Sequence, residues 1–187
     1  KTAEYDFSQL NPHMIYFAHH LEMGSEDAYD RVLDGEHRDI VKEAFNAMIQ
    51  ARSPLNQKPR DINLDGLEMN WRDLRQRILD NHKPIQHLFF TGIGNKLQFE
   101  DSRIAESVML HFQKMDAPAL PVHDSFIMHH GYGGELEEAM RRGFHERFKS
   151  DIPVKSEIIK EKPSLPYEEQ PDNLSVEEIL KGEVEYS

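Results

Sequence analysis

The chain has 187 residues, a formal net charge of -12 and no cysteine. That length fits one domain, or one domain with a tail, and the absence of thiols excludes disulfides and thiolate metal sites. No apolar run approaches the ~20 residues of a membrane helix and no secretory pattern opens the chain, so a cytoplasmic protein without a membrane partner is expected, and its acidity requires any nucleic-acid contact to rest on a local basic surface or on metal ions.

Lys1 is not an initiator methionine, which predicts a processed N-terminus or a longer parent chain. Residues 2–10 begin with β-favouring types, and a strand is expected to end near Phe7. Asn11 followed by Pro12 reads as a helix cap and first helical residue, with Met14, Ile15, Ala18 and Leu21 on one face. Ser25 is placed to cap a short helix through Leu33. The strongest helical pattern runs from about His37 to Ala51, where Ile40, Val41, Ala44, Phe45, Met48 and Ile49 form an apolar arc. Arg38, Lys42 and Asn46 recur every four residues along one edge of that arc, either as cations able to reach a triphosphate or as a solvated edge paired with Asp39 and Glu43.

Residues 52–66 read as a loop, and the spacing of Leu67, Trp71, Leu74 and Ile78 predicts a helix to about Asp80. Gly92 and Gly94 mark a turn, and a helix capped by Asp101 or Ser102 is expected to run to Met115. The stretch from Ala119 to Met128 is apolar except for His123 and Asp124 in its middle, which predicts two strands joined by a tight turn with His-Asp at the tip. A helix striped by Leu136, Met140, Phe144 and Phe148 follows to about Lys149. From Asp151 the chain turns acidic and proline-containing. Residues 1–150 are therefore expected to be the domain, and 151–187 a loosely ordered arm with a small helix from Ser175 to Lys181.

Asp6 thus ends a strand and Asp124 tips a hairpin. If those strands are neighbours in one antiparallel sheet, the carboxylates converge, and two carboxylates suit hard divalent ions that prefer oxygen ligands. An ordinary turn role for Asp124 is the bland alternative.

The motifs resemble a known superfamily. Tyr5-Asp-Phe-Ser-Gln-Leu10 is similar to motif A of family A DNA polymerases, Arg38-x3-Lys42 to the helical motif B, and Val122-His-Asp-Ser-Phe126 to motif C, in a form closer to the single-subunit, phage-type RNA polymerases. The order A, B, C matches over about residues 3–150. The resemblance implies an α+β fold of palm type, a small antiparallel sheet backed by helices with a reduced fingers helix. It implies template-directed nucleotidyl transfer, as the C-terminal catalytic part of a phage or mobile-element replication polymerase. Asp6, Asp124 and the Phe7 carbonyl would hold two Mg2+ (or Mn2+) ions. Arg38 and Lys42 would hold the incoming nucleoside triphosphate, and His123 would support the primer end of a primer-template. An upstream thumb segment or a partner subunit is also implied. Asn46 stands where the family usually has an aromatic residue, Gln50-Ala51 where it has Tyr-Gly, and Asn11 where DNA polymerases carry the Glu that helps exclude ribonucleotides. Asn46 and Asn11 are thereby assigned to the nucleotide site, and the choice between ribo- and deoxyribonucleotides stays open.

Two rival classes remain in view. One is an inactive palm-like module that binds or assembles within a replication complex, favoured by the acidic charge and by Asn46. The other is a His-rich metal hydrolase drawing on His19-His20, His123 and His129-His130, for which no H-E-x-x-H spacing is present.

Overall fold

A computed structural model of the protein describes residues 1–33 and 35–159. The elements run β1 (Thr2–Phe7), α1 (Leu10–Ala18), α2 (Arg38–Gln50), α3 (Trp71–Asn81), α4 (Gly94–Gln113), β2 (Leu120–Val122), β3 (Ser125–His129), α5 (Gly133–Phe148) and β4 (Val154–Ile158), with 3-10 turns at Asp30–Val32, Lys83–Leu88 and His130–Tyr132. The fold is α+β. Its four strands form one antiparallel sheet in the order β2-β3-β1-β4.

Alternation along β1 divides the sheet into two unlike faces. Ala3, Tyr5 and Phe7 point into the core with Phe126 and Met128 of β3. They meet α5, whose Leu136, Met140 and Phe144 are fully buried, and the Phe7 and Phe144 rings lie 6.3 Å apart. The opposite face carries Glu4 and Asp6. Asp6 is flanked by Ser125 on β3 and Lys155 on β4, and Glu4 by Ile127 and Glu157. A sheet covered by helices on one side alone has this clean in–out alternation. Pro121 sits in β2, an edge strand, where its missing N–H costs no ladder bond.

The apolar arc of α2 is buried as the spacing predicts, apart from half-buried Ile40, and packs with Tyr29, Phe89 and the Leu74–Ile78 face of α3. Behind α2 lies a polar knot. His82 is fully buried; its Nε2 lies 3.0 Å from the Ala28 carbonyl and its Nδ1 2.9 Å from Arg31 Nη2 and 3.1 Å from the Tyr16 hydroxyl. Arg31 also donates to the Met23 carbonyl. The knot ties α1, the Ala28–Arg31 loop and α3 together.

Several expected boundaries move. Asn11 is not a cap: α1 begins at Leu10 because Gln9 adopts a left-handed conformation and turns the chain at once, its Oε1 accepting from the Ala28 N–H at 2.6 Å. Ser25 starts no helix. Asp27 instead accepts from the N–H groups of Tyr29 and Asp30, which holds a single 3-10 turn. Leu67 lies before α3, which Asn70 caps through the Asp73 N–H. The helix expected from Ser102 begins at Gly94, since Gly92 alone makes the left-handed turn and Gly94 is helical beneath the side chain of Gln50. Ser102 then sits mid-helix with its hydroxyl on the Phe99 carbonyl. The segment assigned to an arm supplies β4, which completes the sheet beside β1. The helix expected at Ser175–Lys181 lies outside the described residues.

Gly133 opens α5 directly over Tyr5, whose hydroxyl occupies the place a Cβ would need. Gly133→Ala is expected to push the Tyr5 ring off its buried seat and to destabilise the fold by about 1–3 kcal/mol. A urea midpoint within error of wild type would show that the ring moves freely.

Candidate functional site

β1 ends where the β2–β3 turn begins. The Phe7 N–H points at the Asp124 carbonyl at 3.4 Å, and Asp6 pairs in register with Ser125. His123 makes the turn in a left-handed conformation, φ 54°, so His123 and Asp124 stand at the sheet end rather than within the ladder. Together with Glu4, Asp6, Ser125, Lys155 and Glu157 they line an open pocket of about 510 Å³ on the uncovered face of the sheet.

The electrostatics of Asp6 are unusual for a half-buried surface carboxylate. Burial, then Asp124 and Glu4, push its carboxyl up to about 6 against the opposing pull of Lys42 and Lys155. Its Oδ1 is buried and has no hydrogen-bond partner within the described protein. A carboxyl whose ionisation is opposed by burial and by a neighbouring carboxylate, with an oxygen left unpaired, is one whose charged form a cation would stabilise. The donor set of Asp6 and Asp124 therefore fits a hard divalent ion. Among the described residues no cluster of three His, Asp or Glu side chains is grouped to hold an ion unaided, so further oxygen ligands have to come from backbone, water or substrate. Glu4 is held by the Ser125 hydroxyl at 2.7 Å.

Two residues on other elements feel the charge of Asp124 from outside the pocket lining, and the sequence pattern pointed to neither. Asp101 projects from the middle of α4, and burial and then Asp124 push its carboxyl up to about 6. Tyr29 is buried against Phe45, with Arg38 over its ring at 5.2 Å. Burial raises the Tyr29 hydroxyl pKa, Arg38 opposes that, and Asp27 and Asp124 add to it. Asp101 had passed as a helix cap, and Tyr29 lies in a segment without periodicity; their only sequence signal is an acid and an aromatic residue in segments that fold back onto the hairpin.

The structure gives the α2 residues different roles. Lys42 is exposed, and its charge eases the ionisation of Asp6 without its side chain lining the pocket. Arg38 is instead held by Asp27, at 3.2 Å from Nε and 2.9 Å from Nη2, with Asp30 at 3.6 Å. Burial alone would raise the Asp27 pKa, but these bonds and the Tyr29 and Asp30 N–H groups outweigh it and hold the carboxyl below its usual range. Asn46 accepts from Asn11 at 3.0 Å, so these two residues join α2 to α1. His123 is exposed at the tip.

A scan against protein-family models finds no match for the chain, and neither does a search of the curated proteins. No described helix is long and apolar enough to cross a membrane.

Proposed function

We propose that the protein is a template-directed nucleotidyltransferase of the palm type, joining the 3'-hydroxyl of a primer to the α-phosphate of a nucleoside triphosphate with release of pyrophosphate. The observation that carries this reading is the convergence of Asp6 and Asp124 at one end of an antiparallel sheet, with a buried Asp6 oxygen unpaired. Asp6, Asp124 and the Phe7 carbonyl would hold two Mg2+ or Mn2+ ions, which when bound supply Lewis acidity at the attacking and leaving oxygens. Lys42 neutralises the phosphates from the α2 side, and Lys155 balances Asp6 across the sheet. His123, exposed beside Asp124 at the pocket, would support the primer end. Arg38 joins the triphosphate only if it exchanges Asp27 for phosphate, or else it serves to hold Tyr29 and the Asp27 turn.

Primer extension on a primed template with Mg2+ or Mn2+, comparing dNTPs with NTPs, tests the reading and decides the sugar; no extension by the folded protein with either metal and either nucleotide set would refute it. The α2 roles separate in the same assay. Lys42→Ala is expected to raise KM for the nucleotide about 10- to 100-fold with little change in melting temperature, because removing a charge-assisted phosphate contact costs about 1.5–3 kcal/mol. Arg38→Ala is expected to lower the melting temperature as well, since Asp27 loses its partner. Equal KM effects with no stability difference would assign Arg38 to the triphosphate too.

The engagement of Arg38 by Asp27 also favours a second reading, an inactive palm-like module used for binding or assembly. Such a module would show no melting-temperature shift on titration with Mg2+ or Mn2+.

A further inference from the structure

The central part of this acidic chain is net basic. Residues 52–96 carry eight Lys and Arg against five Asp and Glu, whereas the whole chain has 22 against 34, and residues 81–99 contain no acid at all. Arg52, Lys83 and Lys96 in this segment are exposed and form no ion pair among the described residues. The segment is anchored on the C-terminal end of α2: the Phe90 and Gly92 N–H groups donate to the Met48 and Ala51 carbonyls at 2.9 and 2.8 Å. Arg52 lies across Gly92, where a Cβ would meet its Cγ at 2.9 Å. Lys96 follows in the first turn of α4, and Phe99, three residues on and therefore beside it on the same helical face, is 62% exposed.

A singly exposed apolar side chain is ordinary, but this ring stands beside cations that form no ion pair among the described residues. The next acid, Glu100, is tied to Arg147. Asp101, two residues beyond Phe99 and therefore on the opposite side of α4, lies toward Asp124, so the patch and the carboxylate pocket sit on different sides of that helix.

We propose that Phe99 with Lys96 and Arg52 binds a single nucleic-acid strand, a base stacking on the Phe99 ring and adjacent phosphates pairing with the two cations. Sequence-tolerant strand binding combines such a ring with a positive track, and a run of residues without an acid on a chain of net charge -12 is complementary to a polyanion. The identification of that strand as an unpaired stretch of template rests on the nucleotidyl-transfer reading; the binding itself does not.

The test is fluorescence anisotropy with labelled oligothymidylate and oligouridylate, in EDTA and without triphosphate, over a series of salt concentrations. Wild type is expected to bind with salt-dependent affinity, and the tighter oligonucleotide identifies the sugar. Phe99→Ala should weaken binding about tenfold and Phe99→Trp should preserve it. Lys96→Gln and Arg52→Gln should each lower the salt slope by about one. No binding by the folded wild type, or Phe99→Ala indistinguishable from it, overturns the strand site. Binding with this variant pattern but no primer extension leaves the strand site standing and removes the nucleotidyl-transfer reading, while extension with Phe99→Ala binding normally does the reverse.

Discussion

Asp124→Asn is expected to lose metal-dependent primer extension by a factor of roughly a hundred to a thousand or more, and to melt higher than wild type in the absence of metal. The two effects share one cause. Asp124 faces Asp6, Asp101 and Tyr29, and its charge raises the cost of ionising all three. For Asp6 the ordinary value of 3.8 moves to about 6, so at pH 7 the folded protein holds a carboxylate it would rather protonate. Full conversion of such a shift gives roughly 3 kcal/mol, and the solvent access of a half-buried group discounts it to about 1–2 kcal/mol for Asp6→Asn, a rise of roughly 2–8 °C for a domain of this size. Asp124→Asn relieves only the smaller part, since burial, the largest cause of the Asp6 shift, stays in place. The sign with pH is fixed. A raised carboxyl favours the folded state below pH 4, and that contribution is lost as pH rises through 6, so the stability gap between Asp6→Asn and wild type should open across that interval. Added Mg2+ should stabilise wild type and neither variant. Unfolding of either variant would assign the carboxylate a structural task, and a variant that still extends primers would remove the two-carboxylate site.

What the sequence displayed of this molecule was what has a period or a punctuation mark. The α2 arc, the α5 stripe and the hairpin bracketing His123-Asp124 are regular patterns, and the strand that ends in Asp6 was visible by its residue types. The convergence of Asp6 with Asp124 was a conditional inference, since nothing local states that β1 and β3 are neighbours. Long-range side-chain contacts left no trace. Gln9 reaching the Ala28 N–H overrode the Asn11-Pro12 start signal, and Gln50 lying over Gly94 let a helix begin in a stretch that reads as turn. β4 was hidden because its strand is mostly exposed and polar, and sits at an edge where half its backbone is unpaired. Arg38 was legible as a cation beside a buried face; that Asp27 would hold it depends on how an aperiodic loop folds.

That same loop carries the largest stability effect expected outside the pocket. His82→Ala should cost about 3–5 kcal/mol at pH 7, because it opens a cavity in the core and strips the Ala28 carbonyl, Arg31 Nη2 and the Tyr16 hydroxyl of a shared partner. Arg31 suffers most, since its Nε is already buried without a partner and an uncompensated buried guanidinium is expensive. The imidazole is held neutral: burial and then Arg31 lower its pKa to about 4, only partly opposed by the Ala28 bond. A lowered histidine contributes stability that is complete above 6.5 and is lost as pH falls toward 4, by roughly 3 kcal/mol in all. The cost of His82→Ala should therefore shrink on acidification, in the interval where the carboxylates of the pocket act with opposite sign. Denaturant unfolding at pH 7 and pH 4.5 reads both. A cost that stays constant between those values would mean that His82 is not a neutral, buried acceptor.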